Sequence, residues 1–213
     1  MAKIFPDRSD SSPCAILACV NGEPDFDDLA AIHRVLAGDQ AAFRSIVERY
    51  GERVRRFCRS RLGSQEEAED TAQDIFLRVY RSLRTFRLGQ SFPVWLFSIA
   101  ANRTRTRLLR FATEKARISA AEREAEASVA EDPADEALRR LEAAALRKAV
   151  ASLPSEQRGP VELYYFAELS VAETARVLGL GEEAVKSRLF RARKQLRELL
   201  ENPQPQTDPG GIR

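Results

Sequence analysis

An all-α protein, with two helical domains joined by a flexible linker, is what this 213-residue chain predicts. Three features point there. Apolar residues recur at helical spacing along most of the chain, and no alternating strand pattern of useful length interrupts them. Ala, Leu, Glu and Arg dominate, all good helix formers, while β-branched runs are few. From about residue 112 to 135 aromatic residues vanish, leaving EKARISAAEREAEASVAEDPADEA, an Ala- and Glu-rich stretch with little to pack.

Residues 1–24 read as a flexible N-terminal extension. CAILACV (14–20) superficially suggests a signal segment, but its apolar run is too short and Asp7 and Asp10 stand where a basic region is needed. The first domain spans 25–112. DFDDLAAIHRVLAG predicts a helix with Leu29, Ile32 and Leu36 on one face. Asp39 is an N-cap candidate for a second helix, whose apolar positions run from Phe43 through Val54 to Cys58 and end near Gly63. Ser64 and Glu67 form a capping-box signature for a third, carrying Ala68, Ala72, Ile75, Phe76, Val79 and Leu83. The loop FRLGQS leads to Pro93, suited to the first turn of a fourth helix that starts apolar and ends basic, PVWLFSIAANRTRTRLLR.

The linker is 113–135, and apolar periodicity returns in a second domain, 136–201, with Leu138, Leu141, Ala145 and Ala149. Pro154 and Pro160 interrupt it, the latter inside a segment otherwise helical, where it removes a backbone hydrogen bond. Ser170 and Glu173 make a second capping box ahead of VAETARVL. Gly179 suits a helix end that needs positive φ, and Glu182 and Glu183 favour the start of a last helix burying Val185, Leu189, Ala192, Leu196 and Leu199. The tail 202–213, rich in Pro and Gly, reads as disordered.

Charge and composition narrow the function. A net charge of only +2 means that nucleic-acid binding must rest on local patches. Three cysteines without zinc-type spacing and a single histidine, His33, argue against a disulfide scaffold, a metal site or a cofactor, and fit a reducing cytoplasm. No run approaches membrane-spanning length. No catalytic constellation such as a nuclease needs is visible, so an enzyme is not expected.

Two surfaces are basic. On the last helix Lys186, Ser187, Arg188, Phe190 and Arg191 sit in the half that a recognition helix lays in the major groove; the alternative is a solvated cationic helix. On the fourth helix Arg103, Arg105, Arg107 and Arg110 follow Phe92, Trp95 and Phe97, and could draw in a phosphate backbone. Trp95 and Ile99, four apart, also fit a core. Between them, Glu66, Glu67, Glu69, Asp70 and Asp74 form an acidic face that composition alone assigns to solvent. A free-standing helix-turn-helix regulator is one reading of these features.

AGDQAAF, AEDTAQDIFLRVY, FPVWLFSIAANR, LPSEQR and VAETARVLGLGEEAVKSRLFRARKQLRELL, in that order and spacing, resemble the extracytoplasmic-function sigma factors of the bacterial sigma-70 family. The resemblance covers about Asp25 to Leu200. It implies an alternative sigma factor that binds core RNA polymerase and directs it to promoters. Asp70, Gln73, Asp74 and Phe76 would meet the β′ clamp helices, with the β flap a further polymerase contact. Gly89, Gln90, Ser91 and Phe92, with Asn102, Arg103 and Arg107, would open and read the −10 element. Lys186, Ser187, Arg188, Phe190 and Arg191 would read the −35 element as duplex. An anti-sigma factor is an implied partner. Thr106 stands where relatives often carry an acidic residue, and Gly181 where a Ser-like cap is expected.

Overall fold

The computed structural model describes residues 26–87, 89–118 and 144–201, and among them every regular element is helical. The N-terminal domain comprises α1 (Phe26–Leu36), α2 (Phe43–Leu62), α3 (Gln65–Ser82) and α4 (Phe92–Ile118). The C-terminal domain comprises α5 (helical through 144–152), α6 (Ser155–Val161), α7 (Val171–Leu178) and α8 (Glu182–Glu201). The extension, most of the linker and the tail lie outside the described residues, as do Cys14, Cys19, Leu138 and Leu141. α4 runs on to Ile118, into the stretch read as linker.

Local chemistry sets the helix ends. Asp39 caps not α2 itself but a 3₁₀ turn, Gln40–Ala42, that feeds it, and its Oδ1 accepts from Ala42 N at 3.3 Å. Gly63 closes α2 at φ 79°, a backbone region that side chains with a Cβ disfavour. Ser64 accepts from Glu67 N at 3.4 Å, but the Glu67 side chain does not return to the cap; it pairs with Arg107 instead. The second box is complete: Ser170 Oγ accepts from Glu173 N at 3.2 Å, and Glu173 Oε2 accepts from Ser170 N at 2.9 Å. Pro160 lies inside α6 and costs it a hydrogen bond. The chain leaves α6 one residue later in a π-helical turn, Glu162–Phe166, closed by Ala167 N donating to Glu162 O at 3.1 Å.

The N-terminal core gathers Ile46, Val54, Phe57, Ile75, Val79, Leu96 and Phe97, all fully buried. Phe92 is its aromatic hub, with ring centroids 5.5 Å from Tyr50, 5.5 Å from Phe86 and 5.8 Å from Trp95. Such edge and tilted contacts each add about 0.5–1.5 kcal/mol beyond burial. Trp95 and Ile99 are half-buried and pack against this core from its edge. On α1 the buried stripe is shifted by one residue from expectation: Ile32 is buried and Val35 packs on the core, while Leu36 is exposed. The cause is Asp28, buried against Arg49 Nη1 at 2.7 Å and the Tyr50 hydroxyl at 2.5 Å, which turns α1 to bring its carboxylate inward.

A smaller core joins Val150, Leu153, Val161, Ala175, Val185, Leu189, Ala192 and Leu196 in the C-terminal domain. The two domains also meet directly. Leu163, Ala167 and Leu169, from the π-helical turn and the irregular connection after it, are buried in the N-terminal cluster rather than in their own.

Candidate nucleic-acid interface

The helix-turn-helix is built from α7 and α8. The turn begins at Gly179, left-handed at φ 66°, whose N–H reaches Arg176 O while Leu180 N returns to Ala175 O at 2.9 Å. Gly181 then stands at the α8 N-cap, its carbonyl accepting from Val185 N at 3.2 Å. Val185, Leu189, Ala192 and Leu196 anchor α8. Their burial fixes the opposite face outward: Lys186, Ser187, Phe190 and Arg191 are exposed, and Arg188 is half-buried at the edge. Phe190 is 66% exposed, a large apolar ring held in water beside cations. Lys186 leans on Glu183 at 2.7 Å, a fully exposed pair that contributes little and holds the ammonium above its usual range. Arg191 folds back on Ser187 Oγ at 3.3 Å. Among the described residues, both cations meet short-range partners on their own helix.

The second set of residues lies where loop 89–91 enters α4. Gly89 (φ 95°) and Gln90 are exposed, whereas Ser91 is buried and Phe92 is wholly inside the core. Asn102 is exposed one face along. Arg103 and Arg107 do not point freely to solvent: Arg103 is paired with Asp74, and Arg107 with Glu67 at 2.7 Å. Thr106 turns its hydroxyl back to Asn102 O at 3.0 Å, leaving that position without charge. Two arginines of α4 and two acids of α3 thus pair across the groove between the helices.

The acidic face itself splits. Asp70 and Gln73 are exposed and Asp74 half-buried, while Phe76 faces the core at 9% exposure and packs edge-on against Phe43. Sequence reasoning missed two neighbours. Leu77, 54% exposed, and Tyr80, at the margin of exposure, continue the stripe of Asp70 and Gln73 at helical spacing. A face mixing carboxylate, amide, leucine and tyrosine fits a protein surface better than open solvent. The signal was present in the spacing, since Leu77 stands off the apolar stripe of Ala68, Ala72, Ile75, Phe76, Val79 and Leu83, but one exposed leucine does not by itself mark a surface.

Elsewhere, Cys58 is a free thiol buried in the core, where burial pushes it up to about 12 and makes it a poor nucleophile. No cluster of metal-ligating side chains occurs among the described residues, and no helix among them is long and apolar enough to cross a membrane.

Comparison with known proteins converges on the same two halves. The family described as Sigma-70 region 2 matches residues 46–112, and Sigma-70, region 4 matches 143–196. The chain is 32% identical over 176 residues to the ECF RNA polymerase sigma factor SigW of Bacillus subtilis, covering 79% of this chain and 94% of SigW. It is 36% identical over 172 residues to BldN of Streptomyces coelicolor, also an ECF RNA polymerase sigma factor, and spans 64% of BldN's length. Among solved structures it is similar to CnrH in complex with the cytosolic domain of CnrY, with a TM-score of 0.65, 28% identity, and coverage of 82% of this chain and 97% of that one. It is also similar to RpoE of Bartonella quintana in complex with the anti-sigma factor NepR, with a TM-score of 0.61, 26% identity, and coverage of 76% and 98%.

Proposed function

The chain belongs to the ECF family of RNA polymerase sigma factors, and from that premise we propose how its surfaces divide the work of promoter recognition. Sigma factors are initiation factors and not enzymes, so the chemistry to be explained is recognition. The chain directs RNA polymerase to promoters, and it works in the cytoplasm where polymerase and DNA are.

The observation that carries this division is α8. Its inner face is locked by four buried apolar residues, which leaves Lys186, Ser187, Phe190 and Arg191 as one outward cationic and aromatic strip. In the major groove of the −35 element, lysine and arginine can donate to guanine O6 and N7, and an exposed phenylalanine can meet a thymine methyl. Arg188, at the edge, suits a phosphate. The −10 element falls to Gly89, Gln90, Ser91 and Phe92 with Asn102, Arg103 and Arg107. Extruding a base costs a few kcal/mol, which a pocket and nearby cations offset. Phe92 supports this site from within, as the aromatic hub that positions the loop.

Core polymerase takes the α3 face, where Asp70 and Gln73 with Asp74 contact the β′ clamp helices and Leu77 and Tyr80 add apolar area, while Phe76 holds that face in register from the core. The β flap lies against the C-terminal domain. An anti-sigma factor is a further partner, as RpoE has in NepR.

Run-off transcription with purified core polymerase and genomic fragments tests the whole reading. It predicts discrete transcripts that require this chain; their absence across a genome's fragments, from a chain that binds no core enzyme, would overturn it.

A further inference from the structure

Two acids of α3 hold Arg103 and Arg107 in the same way. Arg103 turns its Nε and Nη2 edge to Asp74 Oδ2. One helical turn on, Arg107 turns the same edge to Glu67 Oε2, with Nε at 2.8 Å and Nη2 at 2.7 Å. The flat face of the Arg107 guanidinium also lies on Phe111, 5.2 Å from the ring centroid. A guanidinium is a rigid planar fork, so fixing one edge fixes where the other points. No described residue hydrogen-bonds Nη1 of either arginine, and both side chains stay about one-third exposed. Four residues of helix set the two groups about 6 Å apart along α4. Beside them Thr106, Arg107, Arg110 and Phe111 line an open hollow.

Two observations give this pairing a role beyond joining helices. Arg105 and Arg110, exposed on the same helix, have no side-chain partner among the described residues. The acids of α3 therefore select two of the four arginines and orient them, leaving the other two loose. The second observation is one of sign. A carboxylate beside a polyanion opposes binding through bulk charge, and a half-exposed ion pair contributes little stability in return. Glu67 and Asp74 weaken the attraction of α4 for DNA unless they improve the geometry of what remains.

We propose that Glu67 and Asp74 are positioning residues for DNA recognition, locking the Nε edges of Arg107 and Arg103 so that the two Nη1 ends meet successive phosphates of the −10 strand. Both guanidinium groups are then set before DNA arrives, and less side-chain freedom is lost on binding. Phe111 backs the plane of Arg107, which gives this exposed ring a function. Asp74 serves both faces of the domain, DNA through Arg103 and polymerase through its own oxygens. The inference rests on the assignment of Arg103 and Arg107 to the −10 element.

Glu67→Ala and Glu67→Gln make the same change of charge, and only the glutamine keeps an oxygen that can accept from Arg107. Each variant gains one positive charge, so bulk electrostatics predicts tighter DNA binding for both, and equally so. The probe is a fork made from a promoter recovered by run-off transcription, duplex at −35 and unpaired across −10, titrated with holoenzyme by fluorescence anisotropy. Positioning predicts the opposite sign: Glu67→Ala is expected to bind the fork at least about threefold more weakly than wild type, with Glu67→Gln between the two. A duplex −35 fragment, read by α8, is expected to bind every variant alike. Glu67→Gln is expected to keep the wild-type midpoint in denaturant, so its comparison with wild type stands even where Glu67→Ala is less stable. Fork binding by both variants as tight as wild type or tighter would overturn the positioning role. Arg107→Ala tests the premise separately. If it binds the fork as wild type does, the −10 assignment fails; if it weakens binding about tenfold while the Glu67 variants do not, only the positioning role falls.

Discussion

Gly179 shows how one residue decides a recognition motif. Its φ of 66° lets α7 end and α8 begin at the angle that presents Lys186 and Arg191, and no atom would obstruct an added Cβ within 4 Å. The requirement is therefore conformational alone. Gly179→Ala is expected to destabilise the C-terminal domain by about 1 kcal/mol, the ordinary difference for a left-handed site, visible as a lower midpoint in denaturant. At Gly181 the opposite holds: φ is not positive and space is open, so Gly181→Ser is expected to stabilise α8 by a few tenths of a kcal/mol through an N-cap bond, raising the same midpoint. Both glycines were legible in the sequence, because cap chemistry is local. The inward turn of Asp28 was not, since it depends on Arg49 and Tyr50, more than twenty positions away.

At the scale of elements, helical periodicity located α2, α3, α7 and α8, but not which way a mixed face would look. On α3 the spacing already set Phe76 on the inward stripe with Ile75 and Val79, and packing against α2 and α4 leaves Leu77 and Tyr80 outward beside Asp70 and Gln73. The exposed stripe then makes a specific expectation. Asp70→Arg and Leu77→Asp are each expected to weaken core-polymerase binding at least tenfold in a fluorescence-anisotropy titration, while duplex binding through α8 persists. Equal core affinity would show that polymerase docks elsewhere. The complementary pair, Lys186→Ala with Arg191→Ala, is expected to reduce promoter-directed transcripts by about 30-fold or more with core binding unchanged, since each lost base or phosphate contact is worth about 1–3 kcal/mol. Phe92→Ala is a poor probe of base capture: emptying the aromatic hub costs about 3–5 kcal/mol and disturbs the fold first.

At the scale of the whole molecule the buried pair between domains has a pH signature. Burial pushes the Glu162 carboxyl up, with Arg61 and Arg158 pulling it partly back. A carboxyl whose folded value is raised holds its proton more tightly when folded. Its stabilising contribution is thus complete below the unfolded value of 4.5 and is lost as pH rises through the raised one. Glu162→Gln, neutral at every pH, is expected to gain stability relative to wild type between about pH 4.5 and neutrality, with the difference shrinking toward acid; denaturant midpoints at the two ends check the slope.

What the sequence determined alone was everything resting on neighbours in the chain: helix positions, the N-cap at Ser64 and the capping box at Ser170, the glycine turn, and the order of motifs that marks the family. Even Pro160, read as a disruption, was rightly placed; the π-helical turn that follows it was not foreseen. Only the tertiary structure decided that Arg103 and Arg107 are spent on Asp74 and Glu67, and that Glu162 and Glu168 reach α2. The reason is physical. Caps and periodicities are enforced over three or four residues, while the partner of a long charged side chain is chosen by how whole faces pack, across separations of 29 to 115 residues that local pattern does not encode.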